Sequence, residues 1–262
     1  GDWDGAFKAA KRVIDEGGYA VGTKSDLTGG MNSLDKQNVM WGAGIQVADQ
    51  AGGYAGFFTH MDNKEGAYPK SAPKLISKQL YNRISATDIR RDWWDPSDKE
   101  SPYVSKKFSF ANVASFLGDY IYMRVEEMYF TAAEAALRLD DLKSARELMN
   151  TVMAERDPGY SANNRSGTLL GATTTTWTGS FENILTHRRI ELWGEYGRLF
   201  DVRRLGQGID RRTDDGFSEE CISMMNRRNV NITKADTYDW VLTIPKAELD
   251  ANPNINEEDQ NP

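Results

Sequence analysis

The stretch IYMRVEEMYFTAAEAALRLDDLKSARELMNTVMAERDPG, residues 121–159, decides the fold. Ile121, Val125, Met128, Ala132, Ala135 and Leu139 advance by alternating fours and threes, which lines one face of an α-helix with apolar side chains. Asp140-Asp141 breaks the pattern, and a second stripe of Leu142, Ala145, Leu148, Met149 and Val152 runs to Asp157-Pro158-Gly159. So short a connection forces the two helices antiparallel, and Ala132, Ala133, Ala135 and Ala136 let them approach closely. This helix pair is the unit of a tetratricopeptide (TPR)-type repeat. One pair cannot bury its own outer face and needs neighbours.

Those neighbours are sought outward from the pair. Trp3, Ala6, Phe7, Ala10, Val13 and Ile14 form another helical stripe, with Asp2 as N-cap and Gly17-Gly18 at its end. Residues 1–18 therefore read as half of a second pair, and residues 120–156 as the complete one. Between them, residues 23–118 lose helical periodicity and are punctuated by Gly29-Gly30, Gly52-Gly53, Pro69, Pro73, Pro96 and Pro102. Their density of Trp, Tyr and Phe predicts an ordered, loop-rich region with short strands and helices. Residues 157–262 hold a Ser/Thr/Gly-rich loop (161–180), a long helix over 181–204, a strand over 240–244 stopped by Pro245, and an acidic Asn/Pro tail. The fold class is mostly α, with helix pairs packed on the loop-rich region, and 1–262 is treated as one region.

Composition removes several functions. The chain has 262 residues, 32 Lys+Arg against 39 Asp+Glu, and a net charge of −7, with no basic run to follow a phosphate backbone. Nucleic acid is excluded as a partner. No apolar stretch is long enough to span a bilayer. The single Cys221 and the two histidines, His60 and His187, supply neither a disulfide nor a Cys- or His-rich metal centre. No calcium loop of EF-hand spacing is present, and no metal or cofactor is expected. Aromatic residues make up 11% of a chain whose mean hydropathy is only −0.62, so the rings are either core anchors or displayed surfaces.

Four fragments occur in an order that resembles one known family. Tyr122–Tyr129 running into Ala132-Ala133-Glu134-Ala135 resembles the "MRxxEMYLxxAEA" helix of the SusD/RagB family. His187–Leu192, continuing to Glu195, Arg198, Asp201 and Arg204, is similar to its "RRxELxxE…RxxDxxR" helix. Ile244-Pro245-Lys246-Ala247-Glu248, Asn252-Pro253-Asn254 and Gln260-Asn261-Pro262 resemble its "IPxxE…NPxLxQNP" terminus, with Glu257-Glu258-Asp259 as a departure. Arg91–Pro96, ahead of an expected Lys107-Phe108 strand, is a further match. The resemblance is to the C-terminal portion of a longer family member. It implies a SusD-like fold and a non-catalytic outer-membrane lipoprotein of Bacteroidetes. Such a protein binds oligosaccharides or polysaccharides at the cell surface and serves a SusC-type TonB-dependent transporter. Its membrane attachment runs through a lipid anchor that Cys221, deep in the chain, does not provide.

A glycan site needs aromatic platforms with amides or charged groups at their edges. Trp41, Tyr54, Phe57, Phe58, Asp62 and Asn63 supply that mixture, with Trp41 and Tyr54 foremost and Phe57-Phe58 split as adjacent strand positions, one in and one out. Core anchoring is the other reading of the same rings. Trp93-Trp94 reads as structural and Trp177 as a peripheral contact or a surface clamp. The charges of the third long helix read as structural pairs and forks to neighbouring helices. Two other functions compete: a protein-docking scaffold using the 120–156 pair and the first helix, and a glycoside hydrolase drawing two carboxylates from Asp62, Glu65, Asp92 and Asp95.

Overall fold

The computed structural model describes residues 1–49, 56–160, 177–195, 197–208 and 243–260. The chain divides into two compact units, Gly1–Tyr196 and Gly197–Pro262. The first begins with α1 (Trp3–Glu16), capped by Asp2, whose Oδ1 accepts from the Gly5 amide at 2.8 Å. Then come α2 (Lys24–Thr28), β1 (Val39–Ala43), α3 (Phe57–Met61), α4 (Lys78–Asn82), β2 (Trp94–Asp95), β3 (Val104–Ser105), β4 (Tyr120–Arg124), α5 (Val125–Arg138), α6 (Leu142–Ala154) and α7 (Trp177–Glu191). The second unit contains α8 (Arg198–Arg204) and α9 (Lys246–Ala251).

The helix pair forms as its periodicity requires. Asp140 takes a left-handed backbone with φ of 60°, and Asp141 caps α6 by accepting from the Ser144 amide at 3.0 Å. Ala132, Ala133, Ala136 and Phe130 of α5 meet Ala145, Met149, Val152 and Met153 of α6 in one buried core, joined by Ala10 of α1 and Ile184 of α7. α5 is thus covered by α1, α6 and α7, which answers the exposed-face problem of an isolated pair.

A second core is built from rings. Phe58, Tyr81, Trp93, Trp94, Phe108 and Phe110 pack with Leu27, Ile76, Leu80, Ile84 and Ile190. The Trp93 indole N–H donates to the Leu27 carbonyl at 3.1 Å, tying α2 to this core. Two small antiparallel sheets edge the region: β1 with β4, and β2 with β3.

Three sequence expectations need correction. The helix expected from Ile121 begins at Val125, because residues 120–124 pair with β1 as β4; Tyr-Ile-Tyr is favourable strand sequence. The expected Lys107-Phe108 strand is instead β3 at Val104–Ser105, since the Lys107 amide turns back to Ser105 Oγ at 3.3 Å and leaves the ladder.

The third concerns the long helix expected over 181–204, which is interrupted. α7 ends at Glu191 and α8 starts at Arg198, with Gly194 at φ of 72° and Gly197 at 124° between them. A Cβ on Gly194 would stand 2.6 Å from Phe108 Cε2 and 2.8 Å from Met61 Cε, so the turn also needs the missing side chain. Of the strand expected over 240–244, residues up to 242 lie outside the described residues. Ile244 is held by Gln260, which accepts from its amide at 2.7 Å and donates to its carbonyl at 3.0 Å.

Candidate functional site

The β1–β4 sheet carries the outstanding exposed ring. Trp41 sits at the centre of β1 and is 61% exposed, although its ring is large and apolar. Its register is irregular on both sides: the pairing shifts between Val39 and Trp41 and again between Trp41 and Gly42. Such bulges re-aim a side chain out of the regular pleat. Tyr122 of β4, 43% exposed, meets the indole edge-to-face with centroids 5.1 Å apart and planes at 63°. Each ring therefore limits the other's freedom while both keep surface open to water. Tyr122 was missed as a site residue because its segment was read as helix; it lies at the register shift next to the Trp41–Met123 pair, and its ring contact with Trp41 across the sheet identifies it.

The remaining site expectations divide. Tyr54 lies outside the described residues, as does the Trp177 side chain. Phe57 and Phe58 are not split, because they occupy a helical turn rather than a strand: α3 holds both toward the ring core, 5.2 Å apart, against Tyr120. Phe58 is 2% exposed and has no face left for a ligand. Asp62, also 2% exposed, accepts from the amides of Lys64 and Glu65 through Oδ1 and of Phe110 through Oδ2. Both oxygens are committed to backbone, so neither a sugar nor a hydrolytic role falls to this carboxylate.

Asn63 is a clamp between loops. Its amide donates to the carbonyls of Lys74 and Ser105 at 3.3 and 2.8 Å and accepts from the Lys74 amide at 2.7 Å. His60 stacks on Tyr68 at 4.0 Å and its Nδ1 lies 2.9 Å from the Gly56 carbonyl oxygen. Trp93 and Trp94 are core residues. Among the described residues, no group of three or more His, Cys, Asp or Glu could hold a metal ion.

The charged fragments meet in one buried cluster. Glu191, at the end of α7, receives Arg156 side-on at 3.0 Å to each oxygen, Arg124 at 3.0 Å and Arg90 at 3.1 Å. Arg90 is held by Asp88 at 2.6 Å, Arg156 by Glu126 at 2.8 Å, and Arg124 by Glu195 at 2.8 Å. Lys107 donates to the carbonyls of Glu191 and Trp193 and to Glu195 Oε1. The interruption after α7 thus exposes carbonyls at a helix C-terminus to cations, the end that favours positive charge. Four cations face four carboxylates, so the cluster is close to neutral as well as hydrogen-bonded.

Titration behaviour follows from burial. Burial alone would raise the Glu191 carboxyl, but Arg156, Arg124 and Arg90 together hold it well below the usual carboxylate range. Burial lowers Lys107 to about 8 despite the attraction of Glu195. His187 is pushed down to about 3 by burial and by Arg90, whose Nη2 donates to its Nδ1 at 2.9 Å. A ring nitrogen that accepts from a guanidinium carries no proton, which fixes the neutral Nε2–H form. This cluster is architectural: its members face one another and all but the partly exposed Glu195 are sealed from solvent. The forks to helix partners expected from sequence are present, including Arg188 on Glu127 at 2.8 Å.

Helices stacked on a ring-rich loop region, tied by a buried Arg/Glu cluster, thus present an exposed aromatic pair at the β1–β4 sheet. The model of the SusD family matches residues 77–262, and the chain belongs to that family. No curated protein sequence matches. Among solved structures, the chain is similar to a SusD-like carbohydrate binding protein from Bacteroides vulgatus ATCC 8482, with 24% identity, a TM-score of 0.74, and 97% of this chain covering 55% of that one. It is also similar to a SusD superfamily protein from Bacteroides thetaiotaomicron VPI-5482, at 23% identity and TM-score 0.74, with 100% and 57% covered. A surface glycan-binding protein A from Bacteroides uniformis matches at 18% identity and TM-score 0.59, with 99% and 56% covered. At these identities the likeness establishes the fold. The chain spans little more than half the length of these relatives.

Proposed function

We propose that this chain is part of a non-catalytic cell-surface protein that binds oligosaccharides or polysaccharides, with Trp41 and Tyr122 as its contact platform. The observation that carries the reading is the exposed edge-to-face pair on the β1–β4 sheet. Sugar rings present apolar C–H faces, and a fixed aromatic surface stacks against them at little entropic cost. The neighbours named for carbohydrate and surface-glycan binding support the ligand class. Family membership supports delivery to a SusC-type TonB-dependent transporter at the outer membrane, with attachment by a lipid anchor. No described helix is long and apolar enough to cross a membrane. Affinity electrophoresis against a panel of polysaccharides, combined with a reducing-sugar release assay, tests the reading: retardation without release supports it, and release of sugar overturns it.

Exposed Leu139 and Leu142, flanking the turn between α5 and α6, favour a second reading in which this hairpin docks a protein. Pull-down of the transporter by the chain, abolished by Leu139→Asp with Leu142→Asp while polysaccharide retardation is absent from the unaltered chain, selects that reading.

A further inference from the structure

A recess lies where α2, the segment 81–96 and the residue after β3 converge, with a volume of about 400 Å³. Its aromatic walls are closed: Tyr81 is 5% exposed and Trp94 1%, so neither offers a face for sugar stacking as Trp41 does. What the recess offers instead is charge. Lys24, Arg91 and Lys106 line it together with Asp92 and Asp95. Asp88 also lies in its wall, but that carboxylate is spent inward on Arg90.

Arg91 is the prepared element. Its guanidinium lies over the Tyr81 ring at 4.3 Å, and its Nη1 donates to the Ile84 carbonyl at 2.6 Å. Among the described residues Nε and Nη2 make no other hydrogen bond, so a guanidinium fixed on one side keeps donors in hand. A planar, oriented guanidinium suits a carboxylate, which it meets with two parallel bonds. Lys106 is tied only loosely, 3.9 Å from Asp95, and Lys24 forms no ion pair among the described residues. The Ser97 amide and hydroxyl both donate to Asp95 Oδ1, which holds that carboxyl below its usual range. Three cations and two carboxylates thus line one recess; Arg91 keeps two donor groups, and Asp95 keeps Oδ2, since its Oδ1 is taken by Ser97.

We propose that this recess binds a small polyhydroxylated carboxylate, of the uronic-acid class, with its carboxylate on Arg91, Lys24 and Lys106 and its hydroxyls on Asp92 and Asp95. The site does not depend on the Trp41–Tyr122 platform, and the two stand or fall separately.

Titration of the whole chain with glucuronate by NMR or calorimetry tests the proposal, with glucose and acetate as controls and folding followed by circular dichroism. Saturable glucuronate binding is expected, weakened by about tenfold or more in Arg91→Gln and measurably in Lys106→Ala. Retention of that binding in Trp41→Ala, together with its weakening in Arg91→Gln or Lys106→Ala, assigns it to the recess. Lys106→Ala covers the case in which Arg91→Gln fails to fold, because Lys106 is a surface residue outside both cores. Absence of saturable glucuronate binding overturns the proposal. So does equal binding of acetate or glucose, or binding insensitive to Arg91→Gln and Lys106→Ala but lost with Trp41→Ala.

Discussion

Arg156 and Glu191 meet as a two-pronged pair, Nε on Oε2 and Nη2 on Oε1, each at 3.0 Å, with neither side chain reachable by water. The pair joins the end of α6 to the end of α7, and two further arginines converge on the same carboxylate.

Removing that carboxylate charge leaves three buried guanidinium groups under-compensated. Glu191→Gln is expected to lower unfolding free energy by about 3–5 kcal/mol, the scale for breaking a buried ion pair from one side. Denaturant unfolding measures it. A loss below about 1 kcal/mol would mean that the remaining carboxylates suffice.

His187 should make stability depend on pH in a window where few other groups titrate. Its folded value, about 3, lies below the ordinary 6.5, so as pH falls the unfolded chain takes up the proton first. Stability therefore drops from pH 6.5 downward, by up to about 1.4 kcal/mol per pH unit from this group alone. Between about pH 6 and 4.5 the His187→Gln chain should show a flatter dependence than the unaltered one. Equal slopes would place the imidazole in a protonatable setting.

At the surface, Trp41→Ala should lower polysaccharide affinity by about 1–2 kcal/mol and Tyr122→Ala by less, since the tyrosine also braces the indole. Melting temperature should scarcely move, because neither ring belongs to either core. Affinity electrophoresis alongside thermal melts separates the two effects.

The opposite pattern is expected at Asp62. Asp62→Ala strands two part-buried amides of its own turn and the buried amide of Phe110 in a distant segment, and should cost about 2–4 kcal/mol of stability, while folded molecules keep their affinity. A selective loss of glycan binding in a chain of unchanged stability would return this residue to the contact surface.

The helical framework was legible because its signal is local. Alternating fours and threes in 125–139, a capping Asp141 and small residues facing a second stripe fix α5 and α6 without long-range information. The end of α7 was not, since its charges continue a helical spacing and only the conformations of Gly194 and Gly197 interrupt it. At the site, residue type carried Trp41, but composition cannot distinguish a ring aimed at water from one sealed beneath a loop. Phe58, Asp62 and Asn63 share the mixture of a sugar site, and their partners at Phe110, Ser105 and Lys74 lie too far along the chain for any motif to announce.

The charge cluster also bears on how the chain reaches its native state. Arg156 bonds to Gly22 across 134 positions and Arg90 to Glu191 across 101. Until such distant segments arrive, these long-range pairs cannot form; only Arg90 with Asp88 and Arg124 with Glu126, each two positions apart, can pair locally. Half-assembled forms consequently keep an ionic, water-loving seam where a hydrocarbon core would have offered a sticky one, and charge of that kind works against self-association.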